Sequence, residues 1–307
     1  MLTGDKWALI VPNRNGARIL PGLIGNVRAN LPEVAFLVVD DKSTDDSRGV
    51  LGTQGVRYSV NRGARGFAAT VNCGLRWVLE NSSAPQYVLV ANSDILFPQR
   101  FADQLDWLHR KLAALGSFGA LGFEEEPEPK PLGDPTHCRI ERVDSVSGFL
   151  FVLPVETIRR IGFLAEGYFM YGEEMDYFAR AQRNGLPVYR ANIGVVHRRE
   201  FSGRRFLNTW LAHRNAVRFA IKSFSLARVV RTVASFVLAP MRFDAAEIAQ
   251  SPSLSRTLRY GALMSMAMLC AALIWNVIFL IQTVRERIAE DRYIRLLTNG
   301  QKNSLPR

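Results

Sequence analysis

Short apolar runs alternate with helix-like segments along the first 125 residues of the chain. The runs comprise residues 7–12, 34–39, 56–60 and 87–91, and each has the length of one buried strand. Continuous apolar strands separated by helices are typical of a mostly parallel sheet with helices on both faces. The pattern therefore predicts a Rossmann-like α/β domain, in which ligands bind at the carboxyl ends of the strands.

Two later segments of the N-terminal part have distinct patterns. Residues 124–131 are acidic and rich in proline, which predicts a solvated surface connection. Residues 146–153 are apolar and predict one more buried strand. A change of pattern near residue 206 predicts two domains, with the α/β domain over 1–205 and a helical region over 206–307.

The helical region mixes apolar and basic residues. Residues 260–284 contain no charged side chain, and 25 such residues are long enough to cross a bilayer. Basic residues stand on both sides of this run, which leaves little charge asymmetry to orient a span. We therefore expect contact with a membrane surface through residues 206–295, whereas in-plane or re-entrant insertion, a true span and internal packing stay open.

The net charge of +11 is unevenly distributed along the chain. Residues 1–197 contain 21 Lys and Arg against 22 Asp and Glu, whereas residues 198–307 contain 18 against 6. Basic residues beside apolar helices favour an anionic membrane surface over nucleic acid. The chain shows no recognisable nucleic-acid-binding motif, and we expect no nucleic-acid partner.

Composition narrows the class of protein further. Hydrophobic residues make up 48% of the chain and charged residues 22%, which excludes an intrinsically disordered protein. Cys73, Cys138 and Cys270 lie far apart, which excludes a disulfide scaffold or a cysteine-based zinc site. The chain enters a strand-like run after a few residues without a signal-peptide pattern, so we expect a cytoplasmic location.

Polar clusters follow the predicted strands. Asp40 and Asp41 end one strand, where carboxylates can accept hydrogen bonds from a nucleobase or ribose, or can cap the next helix. Residues 61–67 form a glycine-containing turn before a helix, which suits either phosphate binding by backbone N–H groups or a plain turn.

Two further clusters contain carboxylates. Asp94 closes the sequence Asn92-Ser93-Asp94 after a strand and can hold a divalent cation or form an Asx-turn. Three carboxylates occur within four residues at 173–176, beside aromatic residues. Such crowding can raise one pKa and create a general base, although a solvated acidic helix start has the same composition.

Taken together and in this order, the clusters resemble the motifs of family 2 glycosyltransferases of the GT-A fold, and most closely the bacterial rhamnosyltransferase-like branch. The resemblance covers roughly residues 7–222. The matching segments, each with the family motif it resembles, are 12–16 (NYNG), 39–45 (VDDxSxD), 61–74 (NxGxGFAxAxNxG), 92–94 (DxD), 147–148 (SG), 169–176 (FxYGEDxD) and 213–215 (RN).

The resemblance implies an inverting, metal-dependent transfer of one sugar from a nucleotide-diphosphate donor to a glycan hydroxyl. It suggests rhamnose from dTDP-rhamnose as the donor, and the basic helices suggest a polyprenyl-diphosphate-linked acceptor at the cytoplasmic face of the inner membrane, in cell-surface polysaccharide assembly. The chain has no QxxRW segment, which favours single transfer over processive synthesis. The alternative is a non-catalytic nucleotide- or glycan-binding protein on the same scaffold, and a homo-oligomer stays open.

The resemblance also assigns roles residue by residue. Glu174 would be the catalytic base, with Glu173 and Asp176 positioning acceptor or loop, and Asp94 and His197 would hold Mg²⁺ or Mn²⁺. Arg198 and Arg199 would help to neutralise the leaving group. The residues expected to bind the nucleotide sugar are Pro12, Asn13, Asn15, Asp40, Asp41, Asn61, Gly66, Asn92, Ser93 and Arg198.

Two positions depart from the family pattern. Asn92 replaces the first aspartate of the metal motif, which lowers the local negative charge. Glu174 replaces the usual aspartate base and is longer by one methylene group. Whether Glu173 or Glu174 reaches the acceptor therefore stays open.

Overall fold

The computed structural model describes residues 6–80, 85–128, 138–199, 205–238 and 252–303. The chain divides into two compact units, Met1–Phe201 and Ser202–Arg307.

The first unit is a nine-stranded sheet flanked by helices. Its strand order is β3-β2-β1-β4-β8-β6-β9-β5, with β7 also beside β9. The strands are β1 (Trp7–Asn13), β2 (Ala35–Asp40), β3 (Tyr58–Val60), β4 (Tyr87–Ala91), β5 (Ile95–Leu96), β6 (Ala120–Glu126), β7 (Ile140–Val143), β8 (Leu150–Pro154) and β9 (Val188–His197). The helices are α1 (Leu20–Asn30), α2 (Ser47–Thr53), α3 (Gly66–Glu80), α4 (Phe101–Leu115), α5 (Val155–Ile161), a 3₁₀ turn (Glu166–Tyr168) and α6 (Glu173–Arg183).

The sheet is mixed, which corrects the prediction of a mostly parallel sheet. Strands β1 to β4 pair in parallel, as do β6 and β9. Strand β8 lies between β4 and β6 and runs antiparallel to both, and β5 and β7 run antiparallel to β9. The hydrophobic pattern does not predict strand direction. Strands β4 and β8 run in opposite directions, yet both are buried along their whole length.

The carboxyl ends of the parallel strands meet at one edge of the sheet. In the pairing register, Asn13 at the end of β1 lies beside Asp40 at the end of β2, and Asp40 lies beside Val60. Strand β9 ends on His197, which pairs with Ile95 immediately after the predicted metal motif. Polar clusters that are separated by up to about 180 residues therefore converge at this edge.

Two local predictions change in the structure. Glu124, Glu125 and Glu126 belong to β6 and pair with the last part of β9, so the prediction of a solvated loop is wrong for them. The physical reason is that β9 supplies backbone partners beyond the register shift after Phe123. The strand predicted over 146–153 begins at Leu150, and residues 147–149 form a loop before it.

The second unit consists of helices in its described part. They are α7 (Arg205–Lys222), α8 (Leu226–Leu238), α9 (Pro252–Ile278) and α10 (Leu280–Asn303). Within the described residues, no single helix is both long and apolar enough to cross a bilayer. The segments Leu263–Ile278 and Leu280–Leu296 meet that length and composition criterion only as a pair, with a bend of 64° between them.

Candidate active site

Asp40 is a structural residue of the turn that follows β2. Its side chain is fully buried and accepts hydrogen bonds from the Asn13 amide (2.9 Å) and from the Ser43 backbone N–H (2.9 Å). Asn15 supports the same turn, because its side-chain oxygen accepts a hydrogen bond from the Thr44 backbone N–H (2.8 Å). The Oδ1 atom of Asn13 is buried and has no hydrogen-bond partner among the described residues, which leaves one acceptor for a ligand.

Asp41 anchors the start of α3. Its Oδ1 accepts hydrogen bonds from the Asn61 amide (2.9 Å) and the Arg65 backbone N–H (2.8 Å). Its Oδ2 accepts one from the Gly66 backbone N–H (3.0 Å). The backbone N–H groups of Arg65 and Gly66, which could have bound a phosphate, therefore already donate to the Asp41 carboxylate. Asp41 thus caps the start of α3.

Gly66 brings α3 against the segment that leads into α6. Its φ angle is +83°, and a Cβ atom at this position would lie 2.3 Å from the carbonyl oxygen of Phe169. One turn further along α3, the Asn72 amide binds both the Leu164 carbonyl oxygen (2.9 Å) and the Leu164 N–H (3.0 Å). Glu166 adds ion pairs to Arg65 and Arg76 of the same region. The position of the predicted base therefore depends on α3.

The three carboxylates of the first turn of α6 have different environments. Asp176 is buried and accepts a hydrogen bond from the Tyr168 hydroxyl (3.2 Å). Glu173 is 3% exposed, and its Oε2 has no hydrogen-bond partner among the described residues. Glu174 keeps part of its surface accessible and accepts a hydrogen bond from the Gly172 N–H (3.1 Å). Of the two adjacent glutamates, Glu174 is the one that solvent and substrate can reach.

Burial shifts the acidity of both glutamates in the same direction. Burial raises the pKa of Glu174 above its ordinary value of 4.5. Burial, followed by the negative charge of Glu174, raises the pKa of Glu173 well above that value. The Oε2 of Glu173 has no hydrogen-bond partner among the described residues, whereas Oε2 of Glu174 accepts a hydrogen bond from the Gly172 N–H, so the burial of Glu173 is less well compensated.

His197 lies between two carboxylates, Asp94 in the turn before β5 and Glu125 in β6. Its Nε2 lies 3.3 Å from Asp94 Oδ1, and its Nδ1 lies 3.3 Å from Glu125 Oε1. The ring stacks on Phe149 with a centroid distance of 5.3 Å and an interplanar angle of 11°. Asn92 completes this cluster, with its amide nitrogen 3.4 Å from His197 Nε2.

Glu125 is the functional residue that sequence reasoning missed. Its strand was interpreted as a loop, and its contact with His197 depends on the pairing of β6 with β9. Glu125 also forms a two-point ion pair with Arg199, with both distances 2.8 Å. The expected role of Arg199 at the leaving group stays a prediction, and in this structure its guanidinium is paired with Glu125. A single sequence contains no signal for a contact across 72 residues.

The Asp94–His197 pair fits a divalent cation. A neutral imidazole whose Nδ1–H donates to Glu125 presents the Nε2 lone pair towards Asp94. The described residues contain no group of three His, Cys, Asp or Glu side chains suited to a metal. Mg²⁺ commonly takes one or two protein oxygens together with substrate phosphates, which suits this donor set.

The loop of residues 147–149 joins the two parts of the site. A Cβ atom on Gly148 would lie 3.1 Å from the Glu174 carboxyl carbon, and the next residue, Phe149, stacks on His197. The Phe149 carbonyl oxygen accepts a hydrogen bond from the Asn92 N–H (2.8 Å). A cavity of about 390 Å³ adjoins this loop, lined by residues that include Glu125, Ser147 and Phe149.

The other predicted site residues lie at the same edge. Pro12 immediately precedes Asn13 at the end of β1. Asn61 is buried and donates to both Asp41 and Thr70, and Ser93 is buried between Asn92 and Asp94. The Arg198 N–H donates to the Asp94 carbonyl oxygen (2.9 Å), which holds the end of β9 beside the predicted metal motif.

We predict that Gly66→Ala destabilises the first unit by about 2 kcal/mol or more, because it combines a disfavoured φ with a clash against backbone. Urea unfolding measures the change in the free energy of unfolding. Gly63→Ala is the matched control, because a Cβ atom there meets nothing within 4 Å. Equal stability of the two variants would contradict the close approach of Gly66 to Phe169.

We predict that Glu173→Gln weakens the pH dependence of stability. A raised pKa means that the folded protein keeps a proton which the unfolded chain loses near pH 4.5, so stability falls as the pH rises above that value. Glutamine removes this loss, which has a limiting slope of about 1.4 kcal/mol per pH unit. Urea unfolding at pH 5 and pH 8 tests this, with exposed Glu33→Gln as control. An unchanged slope in Glu173→Gln would be the contrary result.

The chain is similar to known proteins in sequence and in fold. Residues 8–142 match the model of the family described as Glycosyl transferase family 2. The chain is 24% identical over 205 residues to the low-salt glycan biosynthesis hexosyltransferase Agl10 of Haloferax volcanii. That match covers 61% of this chain and 66% of Agl10, just under two thirds of the relative.

Two solved structures show the same fold at low sequence identity. The mannosyltransferase PcManGT from Pyrobaculum calidifontis superimposes with a TM-score of 0.58 at 18% identity, over 89% of this chain and 87% of that one. GalNAc-T7 superimposes with a TM-score of 0.53 at 13% identity, over 70% of this chain and 47% of that one. The predicted resemblance to family 2 glycosyltransferases agrees with the match over residues 8–142, and the rhamnosyltransferase-like branch stays a prediction. Residues 8–142 are thus similar in sequence to that family, and the α/β structure has the fold of the two solved glycosyltransferases.

Proposed function

We propose that this chain is a hexosyltransferase of glycan biosynthesis that moves one sugar from a nucleotide-diphosphate donor to a glycan hydroxyl, with inversion at the anomeric carbon. The observation that carries the proposal is the loop of residues 147–149, which contacts both the accessible carboxylate of Glu174 and the Asp94–His197 pair. A base and a cation site are the two groups that such a displacement needs, and this loop lies beside both.

The donor proposal is supported by what the relatives bind. The PcManGT structure is a complex with GDP-Man and Mn²⁺, and the GalNAc-T7 structure contains UDP, GalNAc and Mn²⁺. In this chain, the buried and unpartnered Oδ1 of Asn13 offers an acceptor to a nucleobase N–H. We propose a nucleotide-diphosphate hexose as donor, with dTDP-rhamnose among the candidates in a screen of GDP-, UDP- and dTDP-sugars.

Glu174 is the proposed general base. It removes the proton of the acceptor hydroxyl as that oxygen attacks the anomeric carbon, and the leaving nucleotide diphosphate departs from the opposite face. The raised pKa makes the ionised carboxylate a stronger base than an ordinary glutamate. The raised pKa of Glu173 supports this role. When Glu173 is protonated, it adds no second negative charge next to the Glu174 carboxylate.

Asp94 and His197 are the proposed ligands of Mg²⁺ or Mn²⁺. The cation supplies stabilisation of the negative charge that develops on the leaving diphosphate. Glu125 orients the His197 ring, and Arg199 in turn holds Glu125. Asn92 in place of an aspartate reduces the negative charge around the pair, so we expect tighter cation binding with nucleotide diphosphate present than without it.

The acceptor is proposed to be a lipid-linked glycan at the cytoplasmic face of the inner membrane. The support is the concentration of basic charge in residues 198–307, next to apolar helices. A polyprenyl diphosphate carrier presents both an apolar chain and negative charge, which suits a protein of this composition.

We predict that Glu174→Gln lowers kcat for sugar transfer by about 100-fold or more, because a general base contributes on the order of 10² to 10⁴ in rate. Release of nucleotide diphosphate from the donor in the presence of acceptor is the measurement. Glu174→Asp, the residue usual in the family, retains partial activity. In the wild type, activity rises with pH through the raised pKa of Glu174 and so above the ordinary range of a glutamate.

Glu173→Gln is the control that separates the two adjacent glutamates. It keeps a neutral group at the buried position, so kcat stays within a few-fold of the wild type. Loss of activity in Glu173→Gln with retention in Glu174→Gln would exchange the two roles. Calorimetric binding of nucleotide diphosphate without turnover of any donor and acceptor pair would favour the non-catalytic binding protein instead.

We predict that Glu125→Gln weakens Mn²⁺ binding by about 10- to 100-fold, because it removes the carboxylate that orients His197. Electron paramagnetic resonance of free Mn²⁺, with GDP, UDP or dTDP present, measures the affinity without turnover. Glu124→Gln on the same strand is the matched control, and Arg199→Ala tests the support of Glu125. Unchanged Mn²⁺ affinity in Glu125→Gln would remove His197 from the proposed cation site.

A further inference from the structure

The second unit has a long exposed apolar stripe on α9. Leu263, Ile274, Val277 and Ile278 are each between 62% and 73% exposed, and Ile281 continues the stripe across the bend. Every exposed position from residue 263 to residue 281 is apolar. An exposed apolar surface of this extent on a protein marks an interaction site. The exposed positions are Leu263, Met264, Ala267, Cys270, Ala271, Ile274, Val277, Ile278, Leu280 and Ile281.

The exposed face of α10 changes from apolar to mixed apolar and basic. Ile281, Arg285, Ile288, Arg292 and Arg295 are all exposed and follow one another at helical spacing of three or four residues. Isoleucine and arginine therefore alternate along one stripe. Such a stripe is typical of a helix that lies in a membrane interface, where arginine heads reach the lipid phosphates.

The acidic residues of α10 lie on its other side, against α7. Glu286 pairs with Arg218, and Glu290 Oε1 lies 2.7 Å from Lys222 Nζ. Arg218 and Lys222 are almost fully buried. Within residues 280–296, the acidic side chains are only partly exposed and each is paired with a basic side chain, whereas Arg285, Arg292 and Arg295 are exposed. This sorting of charge makes the face complementary to an anionic surface.

The same ion pairs decide against a membrane-spanning α10. A span would place Glu286, Glu290 and the Asp291–Arg287 pair in hydrocarbon, where charged groups are costly. In-plane binding leaves these pairs against α7 and needs no such transfer. The bend of 64° between the two segments also interrupts a straight crossing.

We propose that the exposed face of α9 and α10, from Leu263 to Leu296, binds in plane to an anionic membrane leaflet. The α9 stripe enters the boundary between headgroups and acyl chains, and Arg285, Arg292 and Arg295 contact lipid phosphates. A second copy of the chain fits this face less well, because a symmetric contact would bring arginines of the two copies together. The proposal rests on the second unit and is independent of the transfer reaction.

The test is flotation of the full chain with vesicles of phosphatidylcholine alone or with 30% phosphatidylglycerol, at 50 and 300 mM salt. Each arginine near an anionic surface contributes about a five-fold change in partition. The triple variant Arg285→Gln/Arg292→Gln/Arg295→Gln should therefore bind the anionic vesicles on the order of 100-fold more weakly, with less dependence on salt. Ile274→Glu/Ile281→Glu should abolish binding to both vesicles.

Matched controls are Arg100→Gln and Leu115→Glu, which remove an exposed arginine and an exposed leucine from the first unit and should leave flotation unchanged. Circular dichroism and donor hydrolysis confirm that each variant is folded. Equal binding of wild type and triple variant would overturn the role of the arginines. Absence of flotation, together with a concentration-dependent dimer that Ile274→Glu/Ile281→Glu dissociates, would assign the face to a second copy instead. Donor hydrolysis in solution reports on the transfer reaction separately.

Discussion

The short loop of residues 147–149 is the constraint on which the rest of the site depends. Gly148 leaves room for the Glu174 carboxyl group, and Phe149 provides the surface on which the His197 ring stacks. A side chain at position 148 would meet Glu174, and a smaller residue at 149 would leave the imidazole without its ring contact. Because β8 begins directly after this loop, the central antiparallel strand holds the loop at the carboxyl ends of its neighbours.

Buried carboxylates divide into two classes by what surrounds them. Asp40 and Asp41 accept hydrogen bonds from the amides and backbone N–H groups around them, and they hold the turns after β2 and before α3. At Glu173 and Glu174, burial outweighs the hydrogen bonds that the carboxyl groups accept and raises the pKa of both. The hydrogen bonds of Asp40 and Asp41 fix the turns at the edge of the sheet. The raised pKa of Glu173 and Glu174 makes their carboxylates more basic than ordinary glutamates. The same residue type therefore serves structure or chemistry according to its donors.

Charge in the second unit is arranged by the packing of its helices. Basic side chains of α7 turn inward and meet the acidic residues of α10, as in the contacts of Arg218 and Lys222. The arginines of α10 remain on the outside together with isoleucines. Paired charges inside the unit stabilise it only when both partners are present, and the unpaired excess faces outward. Among the described residues, part of the basic charge of this region is therefore paired inside the unit and part is exposed on α8 and α10.

The sequence by itself determined the elements and the places of the polar clusters, because strand and helix patterns and the motifs after strands are local along the chain. Asp94, Glu174 and His197 were identified in this way, as was the resemblance to glycosyltransferases. Only the tertiary structure decided the direction of β8, the partner of Asp41, the contact of Glu125 with His197 and the sorting of charge on α10. Each of these depends on residues separated by about 25 to 72 positions, or on which side of a helix packs against a neighbour. The physical reason is that a hydrogen bond or ion pair requires atoms about 3 Å apart, and distances of that kind are settled by packing and by strand order.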